Sequence, residues 1–288
     1  MLGLDPDPAA LWPGAVVPEG EEGGHRGVAA RTARAVARHC RAAIDAAGPA
    51  CVAVKPQLAC FERLGTPGWA ALGDVIAHAR ASGLLVLGDG KRGDVPVTAR
   101  AYAQALVGST PGPFGDVPGL GLDAFTANPL LGRDALEPFV EAAVGAGAGV
   151  FVLVRTSNPG AAEVQDRPAP EAPLHELLAR MVDEAGAASV GPAGLSAVGA
   201  VTGATQPELL GRLRELMPRT IFLLPGVGAQ GGSVDALAPA FGPHPAAGLV
   251  TASRSIVNAH AERGGEPGEA ARAAAEELRS AAWGLGSR

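Results

Sequence analysis

Lysine is almost missing from this chain: of its 23 basic residues, only Lys55 and Lys91 are lysine. A chain that draws its surface charge from arginine has little need of lysine for solubility. The two that remain point to places where a compact ammonium is wanted, as a point charge or a proton donor. Basic charge as a whole is outweighed by acidic charge. A net charge of −6 argues against a nucleic-acid partner, which would want a basic face. Cysteine is scarce too: Cys40, Cys51 and Cys60 are odd in number and lack C-x-x-C spacing, which argues against a disulfide framework or a zinc site. The six histidines form no H-x-x-x-H pair, and no P-loop is present, so no metal is expected. No basic-then-apolar leader opens the chain, and no apolar run reaches roughly 18 residues. The expectation is a soluble, cytoplasmic protein without a membrane partner.

What is present is apolar and rich in turns. Hydrophobic residues make up 47% of 288 positions, and 41 Gly with 25 Pro fall between the apolar runs. Short apolar segments predict strands at Leu2–Leu4, Cys51–Val54, Leu84–Leu87, Ala124–Thr126, Val150–Val154, Ala197–Val201, Thr220–Leu224 and Gly248–Ala252. Helical patterning lies between them, at Arg26–Ala47, Trp69–Ala81, Val97–Val107, Asp134–Gly145, His175–Ala185, Pro207–Leu216 and Ser255–Arg263. Strict β/α alternation implies parallel strands with crossover helices. The expected fold is α/β: one TIM-type (β/α)8 barrel domain over 1–288, with an open doubly wound sheet as the alternative. Ser109–Gly119 reads as a Gly/Pro-rich surface loop. Gly264–Gly268 interrupts a terminal helical region that continues as a surface tail. The first strand is short against a usual length of about five residues, so either it is truncated or the true start lies upstream.

In such a barrel the chemistry lies at the C-terminal ends of the strands. Those ends carry Asp5, Lys55, Asp89 with Lys91 and Asp94, Asn128, Thr156-Ser157-Asn158, Gln230 and Arg254. Both lysines are among them. Asp89 and Lys91, two apart on extended backbone, are expected to face the same side, with Gly90 and Gly93 permitting close approach of a ligand. Gly226, Gly228 and Gly231 satisfy G-x-G-x-x-G after the seventh strand. A dinucleotide site is disfavoured because no acidic residue follows about 20 positions on. A phosphate held by backbone N–H groups, with Arg254 adding a guanidinium, is the better reading.

The segments Lys55-Pro56-Gln57, Asp89-x-Lys91-x-x-Asp94-Val95-x-x-Thr98, Arg155-Thr156-Ser157-Asn158-Pro159, PGVGAQGG and Ser253-Arg254 together resemble the orotidine 5′-phosphate decarboxylase family, in its longer bacterial branch. The likeness runs from Gly3 to about His260. Val95, Gly90 and Pro96-Val97 depart from the usual pattern, and the family's leading helix is missing. The resemblance implies a cofactor-free conversion of orotidine monophosphate to UMP, the last step of UMP biosynthesis. Its charged network would be Lys55, Asp89, Lys91 and Asp94, with Lys91 donating a proton to C6. Asp5 and Lys55 would hold the ribose, Ser157 the pyrimidine, and Gln230, Arg254 and the Gly228 loop the phosphate. Asp94 and Thr98 would reach the neighbouring subunit of a homodimer. No phosphoribosyltransferase segment is expected. The rival readings are a magnesium-dependent phosphosugar decarboxylase of the same superfamily and a catalytically silent phosphate-binding barrel.

Overall fold

The computed structural model describes residues 1–17, 27–228 and 231–286. In chain order the strands are β1 (Leu2–Leu4), β2 (Ala53–Pro56), β3 (Leu85–Arg92), β4 (Ser109–Thr110), β5 (Val117–Pro118), β6 (Ala124–Ala127), β7 (Gly149–Arg155), β8 (Val198–Thr202), β9 (Phe222–Leu224) and β10 (Gly248–Val250). The α-helices are α1 (Val28–Ala47), α2 (Leu58–Glu62), α3 (Thr66–Ala81), α4 (Pro96–Leu106), α5 (Arg133–Gly145), α6 (Ala161–Val164), α7 (Leu174–Gly186), α8 (Leu210–Leu216), α9 (Arg254–Val257), α10 (Ala259–Arg263) and α11 (Pro267–Gly286). Two compact units follow from the packing: Met1–Gly90 with Ser253–Arg279, and Lys91–Ala252 with Ser280 onward.

In the first unit β1, β2 and β3 run parallel. Short as it is, β1 is buried and paired along its length, with Leu2 opposite Val54 and Leu4 opposite Pro56. β2 continues the ladder, Ala53 meeting Leu85 and Val54 meeting Val86. The helices are held by apolar stripes at helical spacing. On α1, Ala33, Val36, Cys40, Ala43, Ile44 and Ala47 are buried, and α1 packs on α3. On α3, Gly68 is required by space, since a Cβ there would stand 1.9 Å from the Phe61 carbonyl oxygen. The expected surface tail is otherwise: α11 begins at Pro267, within the expected interruption, and buries Ala270, Ala271, Ala274 and Ala275. Alanine on one helical face packs closely without a large side chain, so the burial leaves little trace in hydrophobicity.

The second unit holds five parallel strands, β6 to β10, each paired with the next. β7 is the longest, flanked by β6 and β8, and its register shifts between Leu153 and Arg155. Such irregularities re-aim the side chains beside them. The expected loop at Ser109–Gly119 contains instead a small antiparallel hairpin, β4 pairing β5, with Phe114 fully exposed near its tip. In place of one helix over Pro207–Leu216, a 3-10 turn over Pro207–Leu209 precedes α8. Likewise Ser255–Arg263 divides at Asn258 into α9 and α10. Among the described residues, no helix is long and apolar enough to cross a membrane.

Candidate active site

The first unit carries the buried charge pair. Lys55 lies on β2 and Asp89 on β3, 7% and 6% exposed. Lys55 Nζ donates to Asp89 Oδ2 at 2.6 Å. Gln57, just past β2, donates to the same oxygen through Nε2 at 3.3 Å. The ladder places these groups together: Gln57 bridges Asp89 in parallel register, two residues on from Lys55. Burying two charges is costly unless each is paired and hydrogen-bonded, and here both conditions are met.

Asp5 follows β1 directly. It lines a cleft of about 50 Å³ together with Arg254, His39 and Asn258. The structure therefore brings the expected ribose residue and the expected phosphate residue to one place. Trp12 braces two lining residues of that cleft: its indole N–H donates to the Val257 carbonyl at 3.0 Å. The Trp12 backbone N–H donates to His39 Nδ1 at 3.1 Å. Burial, and secondarily the neighbouring His260 ring, pushes His39 down to about 4. It is neutral at pH 7, which is what its acceptor role requires. Arg63 holds the same segment by donating to the Pro6 carbonyl at 2.5 Å.

The second unit begins with Lys91, near the end of β3. Its φ of 48° lies in the left-handed region, which a side chain other than Gly, Asn or Asp seldom adopts. The left-handed residue of this segment is the lysine itself, not the neighbouring Gly90. Such a conformation costs on the order of 1–3 kcal/mol and persists where surrounding structure enforces it. Part of that enforcement is visible, as the Lys91 N–H donates to Thr126 Oγ1 at 2.8 Å. Gly93 is needed for close approach, but the neighbour is backbone rather than ligand. A Cβ there would stand 2.9 Å from the Asn128 carbonyl oxygen. Asp94 accepts the Val95 N–H at 2.7 Å, and Thr98 is exposed on the first turn of α4.

Ser157 follows β7. Thr205 donates through its hydroxyl to the Ser157 carbonyl at 3.2 Å. Arg155, 3% exposed, makes a two-pronged contact with Asp166, at 2.8 and 2.9 Å. Those hydrogen bonds hold the Asp166 carboxyl below the usual carboxylate range. The glycines of the loop after β9 are conformational: Gly226, Gly228 and Gly231 have φ of 103°, 73° and 87°. Within that loop the Gly228 N–H donates to the Gly232 carbonyl at 3.1 Å, and the Gly228 carbonyl accepts from Gly231 at 2.7 Å. Gln230 lies outside the described residues.

Sequence reasoning missed four residues as parts of the site: Gln57, Thr126, Arg155 and Asp166. Gln57 and Arg155 stood inside motifs already noted. Thr126 and Asp166 carried no signal of their own, because their partners are distant in sequence or on another element.

Parallel strands joined by helices, with lysines and carboxylates at the strand ends, are the pattern of α/β barrel enzymes. The chain belongs to the orotidine 5′-phosphate decarboxylase / HUMPS family, whose model matches residues 2–274. It is 46% identical over 228 residues to orotidine 5′-phosphate decarboxylase of Rhodopirellula baltica, covering 79% of this chain and 74% of that one. Among solved structures, OMP decarboxylase of Leishmania donovani is 31% identical with a TM-score of 0.72, covering 100% of this chain and 93% of that one. UMP synthase of the same organism is 32% identical with a TM-score of 0.71, and the match covers 98% of this chain but 53% of that longer one. The fold is accordingly the TIM-type α/β barrel of this family.

Proposed function

We propose that the chain decarboxylates orotidine 5′-phosphate to UMP and carbon dioxide without a cofactor, closing pyrimidine nucleotide synthesis in the cytoplasm as one barrel domain. The observation that carries this reading is the coincidence of family membership with the buried Lys55–Asp89 pair and the constrained Lys91.

In the proposed reaction the bond from C6 to the carboxylate breaks and its electron pair stays on C6. A proton from Lys91 Nζ then fills that position, and solvent restores the ammonium. The centre at C6 has no cofactor to delocalise its charge, so a fixed ammonium beside it is the main stabilising element. Asp89 would face the substrate carboxylate. Two like charges about 4 Å apart repel by roughly 4 kcal/mol at an effective dielectric near 20. Because Lys55 already sits 2.6 Å from Asp89, that repulsion is partly offset. Asp5 and Lys55 would hold the ribose and Ser157 the base. Arg254, Gln230 and the Gly228 loop would hold the phosphate, whose remote binding energy fixes the reacting end. A phosphate contact to the Gly228 N–H has to displace its bond to Gly232.

The working unit in this reading is a homodimer in which Asp94 and Thr98 reach the partner's site. Exposed Val95 and Val97, which lie between them in sequence, support an interface there. Mixing Asp94→Asn with Arg254→Ala protein tests it: recovered activity supports the shared site, and none in freely exchanging subunits opposes it. A magnesium-dependent phosphosugar decarboxylase is the second reading, since the matched family is named for more than orotidine 5′-phosphate decarboxylase. Assays with orotidine monophosphate in EDTA, and with a keto-gulonate phosphate plus magnesium, separate the two. Turnover of the first substrate alone supports the proposal; turnover of the second alone removes it.

A further inference from the structure

Ser157 belongs to no helix and no strand, yet side chains hold the backbone around it from several directions. The Thr156 N–H donates to Gln165 Oε1 at 2.8 Å, and the Thr156 carbonyl accepts from the Arg155 guanidinium. On the far side, the Ser157 carbonyl accepts the Thr205 hydroxyl at 3.2 Å. Gly203 closes against the same residue: a Cβ there would stand 2.8 Å from both N and Cα of Ser157. Little room is left for this peptide to shift.

The holding groups are themselves anchored. Asp166 binds both the Nε and the Nη2 of Arg155, at the point where β7 shifts register. His175, at the start of α7, donates its backbone N–H to the Gln165 carbonyl at 2.9 Å. Its ring Nδ1 lies 3.2 Å from Asp166. One segment after α6 therefore joins the end of β7, the start of α7 and the peptide before Ser157. Fixing long polar side chains costs conformational entropy, and a loop needed only as a connection has no call for it.

We propose that Gln165 and Asp166 are positioning residues that set the Ser157 side chain for the base of the substrate. The segment after α6 thereby governs the reaction without touching the reactant. This inference rests on the reading in which Ser157 meets the pyrimidine.

The test is steady-state kinetics with orotidine monophosphate, alongside competition by ribose 5-phosphate, which carries the sugar and phosphate but no base. Gln165→Ala and Asp166→Asn should each lower kcat about tenfold, because small misplacement of a positioned group is costly in rate. Inhibition by ribose 5-phosphate should stay within about twofold of wild type, as expected for independent parts of a site. Gln165→Glu keeps the acceptor for the Thr156 N–H and should restore most of the rate. In a Ser157→Ala background, Gln165→Ala should cost less than about twofold more, since the two act through one contact. If Ser157→Ala is impaired while Gln165→Ala turns over at the wild-type rate, this inference fails and the Ser157 reading stands. If Ser157→Ala itself has wild-type kcat, both fail. Equal loss of kcat and of ribose 5-phosphate binding makes the segment a mere prop and also overturns the proposal. Should Gln165→Ala not fold, Thr205→Val removes a single hydroxyl donor from the Ser157 carbonyl and is read by the same criteria.

Discussion

Replacing Lys55 by methionine should destabilise the protein far more than replacing Lys55 and Asp89 together. The two charges are 2.6 Å apart with side chains 9% exposed. At an effective dielectric near 20 their attraction is about 6 kcal/mol, set against a desolvation cost of several kcal/mol for each ion. The net contribution is thus small, whereas removing one partner leaves a buried charge facing an apolar group. Lys55→Met should cost about 3–5 kcal/mol. Gln57 remains as a neutral donor at 3.3 Å and keeps the loss toward the lower end. The Lys55→Met/Asp89→Leu double variant should recover most of that loss, to within about 1 kcal/mol of wild type. Neither variant should turn over substrate. Equilibrium urea unfolding at pH 7 and one protein concentration measures the stabilities. A double variant no more stable than Lys55→Met would refute the reasoning, because the pair would then be needed for folding rather than retained for chemistry.

Arg214 presents a second buried charge with a different solution. Its guanidinium donates to the carbonyls of Met217, Thr220, Ala240 and Ala247 at 2.6–3.1 Å and stacks 3.8 Å from the Phe222 ring centroid. Arg214→Leu strands those acceptors and should cost about 3 kcal/mol or more by urea unfolding; a loss under about 1 kcal/mol would contradict this. Asp166 has its folded pKa depressed, chiefly by hydrogen bonds from Arg155. Its contribution is therefore present above the ordinary carboxylate pKa and is lost as pH falls through the depressed value. The stability difference between wild type and Asp166→Asn should shrink below about pH 4, and a difference constant with pH would count against the ion pair. Gly232→Ala places a Cβ 2.7 Å from the Gly226 carbonyl oxygen and 3.0 Å from that of Ala204. The loop proposed for phosphate must then shift, so KM should rise roughly tenfold with kcat less affected. An unchanged KM would remove the loop from phosphate binding.

Much of the fold could be read from alternating apolar runs. Expected Val150–Val154 became Gly149–Arg155, and expected Leu2–Leu4 was met without change. The departures have separate causes, and polarity accounts for one of them. β3 runs on through Asp89 and Lys91 to Arg92, because a strand ending in an active site carries polar residues while still hydrogen-bonded. The Ser109–Gly119 hairpin was hidden by its Gly and Pro content, and α11 by the small size of its buried alanines. In the site, the strand-end charges were legible because they break an apolar pattern. The residues that hold them in place were not. Thr126 is an ordinary strand threonine until Lys91, 35 residues away in sequence, is seen to donate its N–H to it. Asp166 reads as a loop acid until Arg155 is found buried against it.

The central claim is that Lys91 carries the chemistry while other residues carry binding. The measurement that tests it most directly is turnover of orotidine monophosphate by wild type and Lys91→Ala in EDTA, with UMP titrated into each. The wild type should convert it rapidly to UMP and the variant not detectably, with UMP affinities within about tenfold of each other. Turnover that survives in Lys91→Ala, or UMP binding lost along with it, would contradict the account.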